Sequence, residues 1–321
     1  MTLEIKDLAG LSTPITKLIE VVSAGMGKAY EPTAIRKKAD ADGYAIRVKA
    51  NADAEAEKIR AEAEATALAK QIEILANGDS ELMHRARVRV LSREVEGQVN
   101  IEKIVEHAFK LLPNTVSDKP VDADWRRKFF ADSENICDAD LQFLWGKILA
   151  GETSSPGSYS LRTLDVLKNL SKDEAEMFRR FCNLTIDEGT VINLGSPKMD
   201  EFGLPYNVLM TLRDAGLVHE NDNLQRIFKD LPTAIETLPM SYNGIMLGLQ
   251  HPHFQTMQLN VLVLTGAGRQ LRNLIDNAPN DAYLRELALF LRAHGFGVKR
   301  ARHTPVDGQP GVTTTTFDED F

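Results

Sequence analysis

Residues 139–178 read ADLQFLWGKILAGETSSPGSYSLRTLDVLKNLSKDEAEMF, and the punctuation of this stretch decides the fold class. Leu141, Leu144, Trp145, Ile148 and Leu149 recur at spacings of three and four, which gathers them on one face of a helix ended by Gly151. Ser160 stands before LRTLDVLKNL as a cap. Ser171, with Glu174 three residues later, forms a capping box for a helix running through Phe181. Three short helices with start and stop signals predict a compact helical bundle. Trp145 shares its face with Leu141, Ile148 and Leu149, so it is expected to be a core anchor and not a ligand platform.

Upstream the helical grammar continues and lengthens. Ser12, Thr13 and Pro14 suit a helix start, and Ile15, Leu18, Ile19, Val22 and Met26 then share one face, predicting an amphipathic helix over residues 12–30. That face can pack on the chain's own core, on a neighbouring subunit or on a membrane surface. Gly25 and Gly27 weaken its second half. From Thr33 to Ala76 there is no proline and one glycine, Gly43, which predicts a helix of roughly 65 Å at about 1.5 Å per residue. Ile46, Ile59, Leu68, Ile72 and Leu75 give it a sparse apolar stripe, suited to a solvated arm or to packing beside copies of itself. Asn77-Gly78 stops this helix, and Asp79 or Ser80 caps the next. Over residues 81–112, Val88, Val90, Leu91, Val95, Val99, Ile101, Ile104, Val105, Phe109 and Leu111 are core candidates. The run Arg85, Arg87, Arg89 and Arg93 is the densest positive cluster, read as a solvated or salt-bridged face with nucleic-acid contact as the alternative.

Downstream of Asn183 the pattern changes. GLPYNVLMTLRDAGLV predicts a helix over 204–215 stopped by Gly216, stretches 242–249 and 258–264 read as strands, and Thr265 caps a further helix. A last helix is expected over 280–294 and a strand over 296–300. The order of these elements resembles a winged helix carrying an insertion of roughly forty residues between Gly216 and the last strand, where a simple wing needs about ten to fifteen. The fold expected is therefore mainly α with a small α+β part. Residues 1–78 are an N-terminal amphipathic helix and long arm, 79–200 a central helical bundle, 201–305 a winged-helix-like domain and 306–321 a flexible acidic tail.

Composition narrows the function classes. Across 321 residues, 46 acidic against 38 basic side chains give a formal charge of −8, which opposes indiscriminate binding to phosphate backbones. The N-terminus carries early acidic residues where a signal peptide needs basic ones, and no window approaches the roughly 20 apolar residues of a membrane span, so a soluble, cytoplasmic protein is expected. Cys137 and Cys182 have no partner at metal-ligand spacing and are read as reduced, core-filling residues. The glycines of GAG at 266–268 lack the rest of a dinucleotide fingerprint. His251 and His253 lack a third ligand, and the serines of GETSSPGSYS lack a nucleophile's strand-turn-helix setting. No catalytic, metal or cofactor site is predicted. Polyanion contact is offered by Arg85, Arg87 and Arg89, by Arg126, Arg127 and Lys128, by Arg213, the one cation of the candidate recognition helix, and by Lys299, Arg300 and Arg302.

Three stretches resemble a bacterial family known as domain of unknown function 2806: TPITKLIEVVSAGMGKAYEPTAIRKKADADGYA, ADLQFLWGKILAGETSSPGSYSLRTLDVLKNLSKDEAEMF and VLTGAGRQLRNLI. The middle one is the most specific, from Leu144 to Glu152, Pro156-Gly157 and Ser160 to Thr163. The resemblance implies no activity and transfers no functional residue; it implies a role in defence against phage only by association. The function expected is that of a non-enzymatic, oligomer-forming regulatory protein that contacts copies of itself through Ile15, Leu18, Ile19, Val22, Ile46, Ile59, Leu68 and Ile72 and recognises a protein partner. A DNA-binding regulator and a peripheral membrane effector acting through residues 12–30 are the alternatives.

Overall fold

The computed structural model describes residues 13–26, 80–187, 189–229, 237–250, 256–305 and 313–320. The chain divides into two compact units, residues 1–159 and 160–321. The central bundle expected over 79–200 thus spans parts of both units, and the three helices read as one bundle fall one in the first unit and two in the second.

Among its described residues the regular structure of the first unit is all helix: α1 (Thr13–Met26), α2 (Ser80–Leu111), α3 (Ala123–Ser133) and α4 (Ala139–Ser154). Asp122 and Asp138 cap α3 and α4 by accepting the first free backbone N–H groups, those of Trp125 and of Asp140 and Leu141. The second half of α2 packs along α4, burying Ile101, Ile104, Val105 and Ala108 against Trp145, Ile148 and Leu149. Gly146 makes this approach close, since a Cβ there would lie 2.4 Å from His107 Cβ. A buried amide pair sets the register. Gln142 Nε2 donates to Asn100 Oδ1 (3.0 Å), and Asn100 Nδ2 donates to the carbonyl of Glu134 (2.9 Å). α1 lies on α3 and α4, with Leu18, Ile19, Val21 and Val22 buried. Trp125, Phe129 and Trp145 form a continuous aromatic core, with successive ring centroids 4.9 and 5.0 Å apart.

The second unit is mixed. It holds α5 (Leu161–Asn169), α6 (Lys172–Asn183), β1 (Thr190–Ile192), α7 (Lys198–Glu201), α8 (Tyr206–Asp214), β2 (Gln225–Phe228), β3 (Leu238–Tyr242), β4 (Ile245–Gln250), β5 (Met257–Val263), α9 (Gly266–Arg272), α10 (Asp281–Ala293), β6 (Gly297–Pro305) and β7 (Thr313–Asp320). The predicted caps form. Ser160 caps α5, Ser171 and Glu174 make the capping box of α6, and Thr265 caps α9. Two antiparallel sheets result, one ordered β1-β5-β2 and one ordered β3-β4-β6-β7.

Two departures from the sequence reading have local causes. The strand expected over 242–249 forms from Ile245 as β4, and it is preceded by a further strand, β3, because Asn243 and Gly244 both take positive φ (40° and 87°) and turn the chain between the two. Residues 313–320, expected to lie in a mobile tail, form β7, whose run of β-branched threonines suits a strand paired with β6.

Candidate functional site

α2 is two helices in one. Its second half is core, whereas residues 81–96 are exposed except for the half-buried Met83 and Ala86. Val88, Val90, Leu91, Val95 and Val99, expected to be core, are therefore surface residues, between 46% and 69% exposed. At 100° per residue Val88, Leu91, Val95 and Val99 fall on one face, and Val90 on the opposite one. Periodicity located the stripe correctly. It could not tell whether another part of the chain covers it.

Charges of both signs border the stripe: Arg87 and Glu94 on one side, Arg85, Arg89 and Glu96 on the other. Arg85 is bound within the helix to Glu81, at 3.2 Å. The cluster read as a polyanion contact is thus interleaved with carboxylates, and an apolar seam runs through it. Such a surface suits another amphipathic helix.

The other predicted contacts have different fates. Leu18, Ile19 and Val22 are buried inside the first unit and Ile15 is half-buried, so this face of α1 is used up by the chain's own core. Ile46, Ile59, Leu68 and Ile72 lie outside the described residues, as do His251 and His253. Arg213 is buried on the inner side of α8 and bonded to Asp222, which leaves Tyr206, Asn207, Met210 and Asp214 as the exposed face of that helix. Arg126 donates to the Val121 carbonyl (2.8 Å), Arg127 lies 3.9 Å from Asp124, and Lys128 lies 3.1 Å from Asp132. In the β6–β7 register Lys299 stands opposite Asp320, Arg300 opposite Glu319 and Arg302 opposite Thr316.

Several chemistry-bearing groups among the described residues hold the fold. Among the described residues no group of three or more His, Cys, Asp or Glu side chains could hold a metal ion. Burial pushes the Cys182 thiol up to about 12, against the pull of the Arg272 charge. Asp165, Glu174 and Asp214 line an open cleft of about 370 Å³, where Glu174 is held by Ser171 in its capping box and kept acidic by those hydrogen bonds. Glu152 is buried and accepts the backbone N–H groups of Gly157 (2.7 Å) and Tyr159 (3.0 Å). Among the described residues no helix is long and apolar enough to cross a membrane.

Fold and surface define a mainly helical protein with small antiparallel sheets in its C-terminal part and an uncovered amphipathic helix in its N-terminal part. The profile of a family described as "Protein of unknown function (DUF2806)" matches residues 84–195 and 192–288, more than half of the chain, and the chain belongs to that family. Comparison with curated proteins and with solved structures gives no match.

Proposed function

We propose that this is a non-enzymatic interaction protein that self-associates through the exposed half of α2 and recognises a protein partner with its second unit. The stripe Val88, Leu91, Val95 and Val99 carries this reading. Four aliphatic side chains along three turns of one helix are costly to leave in water, and each fully buried one contributes about 1.5–3 kcal/mol. A second helix covers them all at once.

For the second unit we propose a winged-helix-like core. In support, α6, β1, α7, α8, β2 and β5 follow one another as the helices and strands of that fold do, in a sheet ordered β1-β5-β2, with β3 and β4 inserted between the last two strands. The helix in the recognition position, α8, exposes Tyr206 and Met210 and has its only arginine buried, which favours a protein partner over DNA.

Light scattering coupled to size exclusion tests the self-association. The full chain is expected to be oligomeric at micromolar concentration. A Leu91→Asp, Val95→Asp variant should be monomeric with an unchanged far-ultraviolet circular dichroism spectrum. A monomeric wild-type chain would sink the proposal.

A further inference from the structure

The charges beside the α2 stripe carry a finer inference, which rests on the self-association proposed above. We infer that two copies of α2 pair antiparallel about a point between Arg89 and Val90, so that Val88 of each copy meets Leu91 of the other and Arg87 of each meets Glu94 of the other.

In heptad terms Val88 and Val95 occupy position a, His84, Leu91 and Gln98 occupy d, and Arg87 and Glu94 occupy g. Antiparallel helices stack a against d and bring g beside g. In the inferred register the layers are His84 with Val95, Val88 with Leu91 and their symmetry mates, closed at each end by Glu81 with Gln98. Each g contact then joins Arg87 to Glu94, twice by symmetry. Ser92 faces Arg85 on the other flank, so no like charges meet there.

The neighbouring registers fail on charge. Sliding one copy by a heptad in one direction sets Glu94 against Glu94, and in the other direction sets Arg87 against Arg87. A parallel pair brings g beside e, which joins Arg87 to Ser92 and Glu94 to Val99 and gains no ion pair. Like-charge contacts reject the wrong alignments, as flanking charges do in coiled coils generally. Among these alignments the seam is self-complementary in the inferred one only. An extended polyanion would instead meet Glu94 and Glu96 along the same helix.

The test uses the full chain with the exposed Cys137 replaced by serine, so that only introduced thiols cross-link. The His84→Cys, Val95→Cys double variant should form a covalent dimer under mild oxidation, and Val95→Cys alone should not, because two copies of residue 95 lie about 16 Å apart along an antiparallel pair. Arg87→Glu and Glu94→Arg should each weaken the dimer about tenfold or more, and the two together should restore it to within about threefold. An oligomeric chain in which Val95→Cys alone cross-links, or in which the charge swap fails to restore the dimer, overturns the antiparallel register while leaving self-association standing. A monomeric chain in which Leu91→Asp lowers the melting temperature without changing the mass would mean that the chain covers its own stripe, and would overturn both.

Discussion

Glu152 is a carboxylate 1% exposed to solvent that accepts hydrogen bonds from two backbone amides, those of Gly157 and Tyr159. Hydrogen bonds to the charged form offset the cost of its burial, and in return the acid fastens the loop that leads out of α4. The residues around it serve the same closure. Gly157 takes a φ of +95°, and Gly151 admits the Tyr159 ring, since a Cβ there would lie 2.8 Å from Tyr159 Cε2. Burial and the Glu152 charge together raise the Tyr159 hydroxyl above its usual range. GETSSPGSYS, which carried much of the family resemblance, therefore holds the fold through these contacts, and Ser160 at its end caps α5. Glu152→Ala should remove the charged acceptor of the Gly157 and Tyr159 backbone donors and cost about 1–3 kcal/mol, read from the midpoint of denaturant unfolding. Glu152→Gln keeps an acceptor and should lose less. Equal stability of the alanine variant and the wild type would show that the loop does not depend on this carboxylate.

At the scale of elements, close approach matters more than propensity. Gly25 reads in the sequence as a weak point of α1, yet a Cβ there would lie 2.2 Å from Phe130 Cδ2, so the missing side chain is the seat of that ring. Gly25→Ala should gain about 1 kcal/mol in helix propensity and lose about 1–3 kcal/mol to overpacking, for a net fall in melting temperature. Gly266→Ala, with open space around it, is the matched control and should not fall. If Gly25→Ala melts higher than the wild type, α1 is not packed on α3 as described. Helix ends were the most legible feature of the sequence, because a cap such as Ser160, Ser171 or Thr265 acts on atoms within three residues of itself. The Asn243-Gly244 turn is equally local, but the apolar residues that follow it give the whole stretch the pattern of one strand. The exposed half of α2 was not legible in the same way. Val88 and Ile104 look alike in periodicity, and only the presence of α4 beside one and not the other makes Ile104 core.

The whole molecule carries a formal charge of −8, and several of its described cations are answered locally. Arg213 is turned inward to Asp222, Arg85 is bound to Glu81, and the register of β6 with β7 sets acidic residues opposite Lys299 and Arg300. A protein that neutralises Z phosphates gains affinity by releasing counterions, with a salt slope of about −0.9Z, so cations already engaged by carboxylates add little to it. Duplex DNA should accordingly be retained weakly at low salt and released by physiological salt, with a shallow dependence of affinity on salt concentration. Replacing Glu319 with glutamine and Asp320 with asparagine should raise the low-salt affinity, since it removes the two acids that stand opposite the basic end of β6. Fluorescence anisotropy with a labelled duplex at several salt concentrations measures both quantities. Nanomolar, sequence-specific binding at physiological salt would place the DNA-binding regulator ahead of the protein-interaction reading, and an unchanged affinity in the charge-neutralised variant would show that β7 does not screen β6.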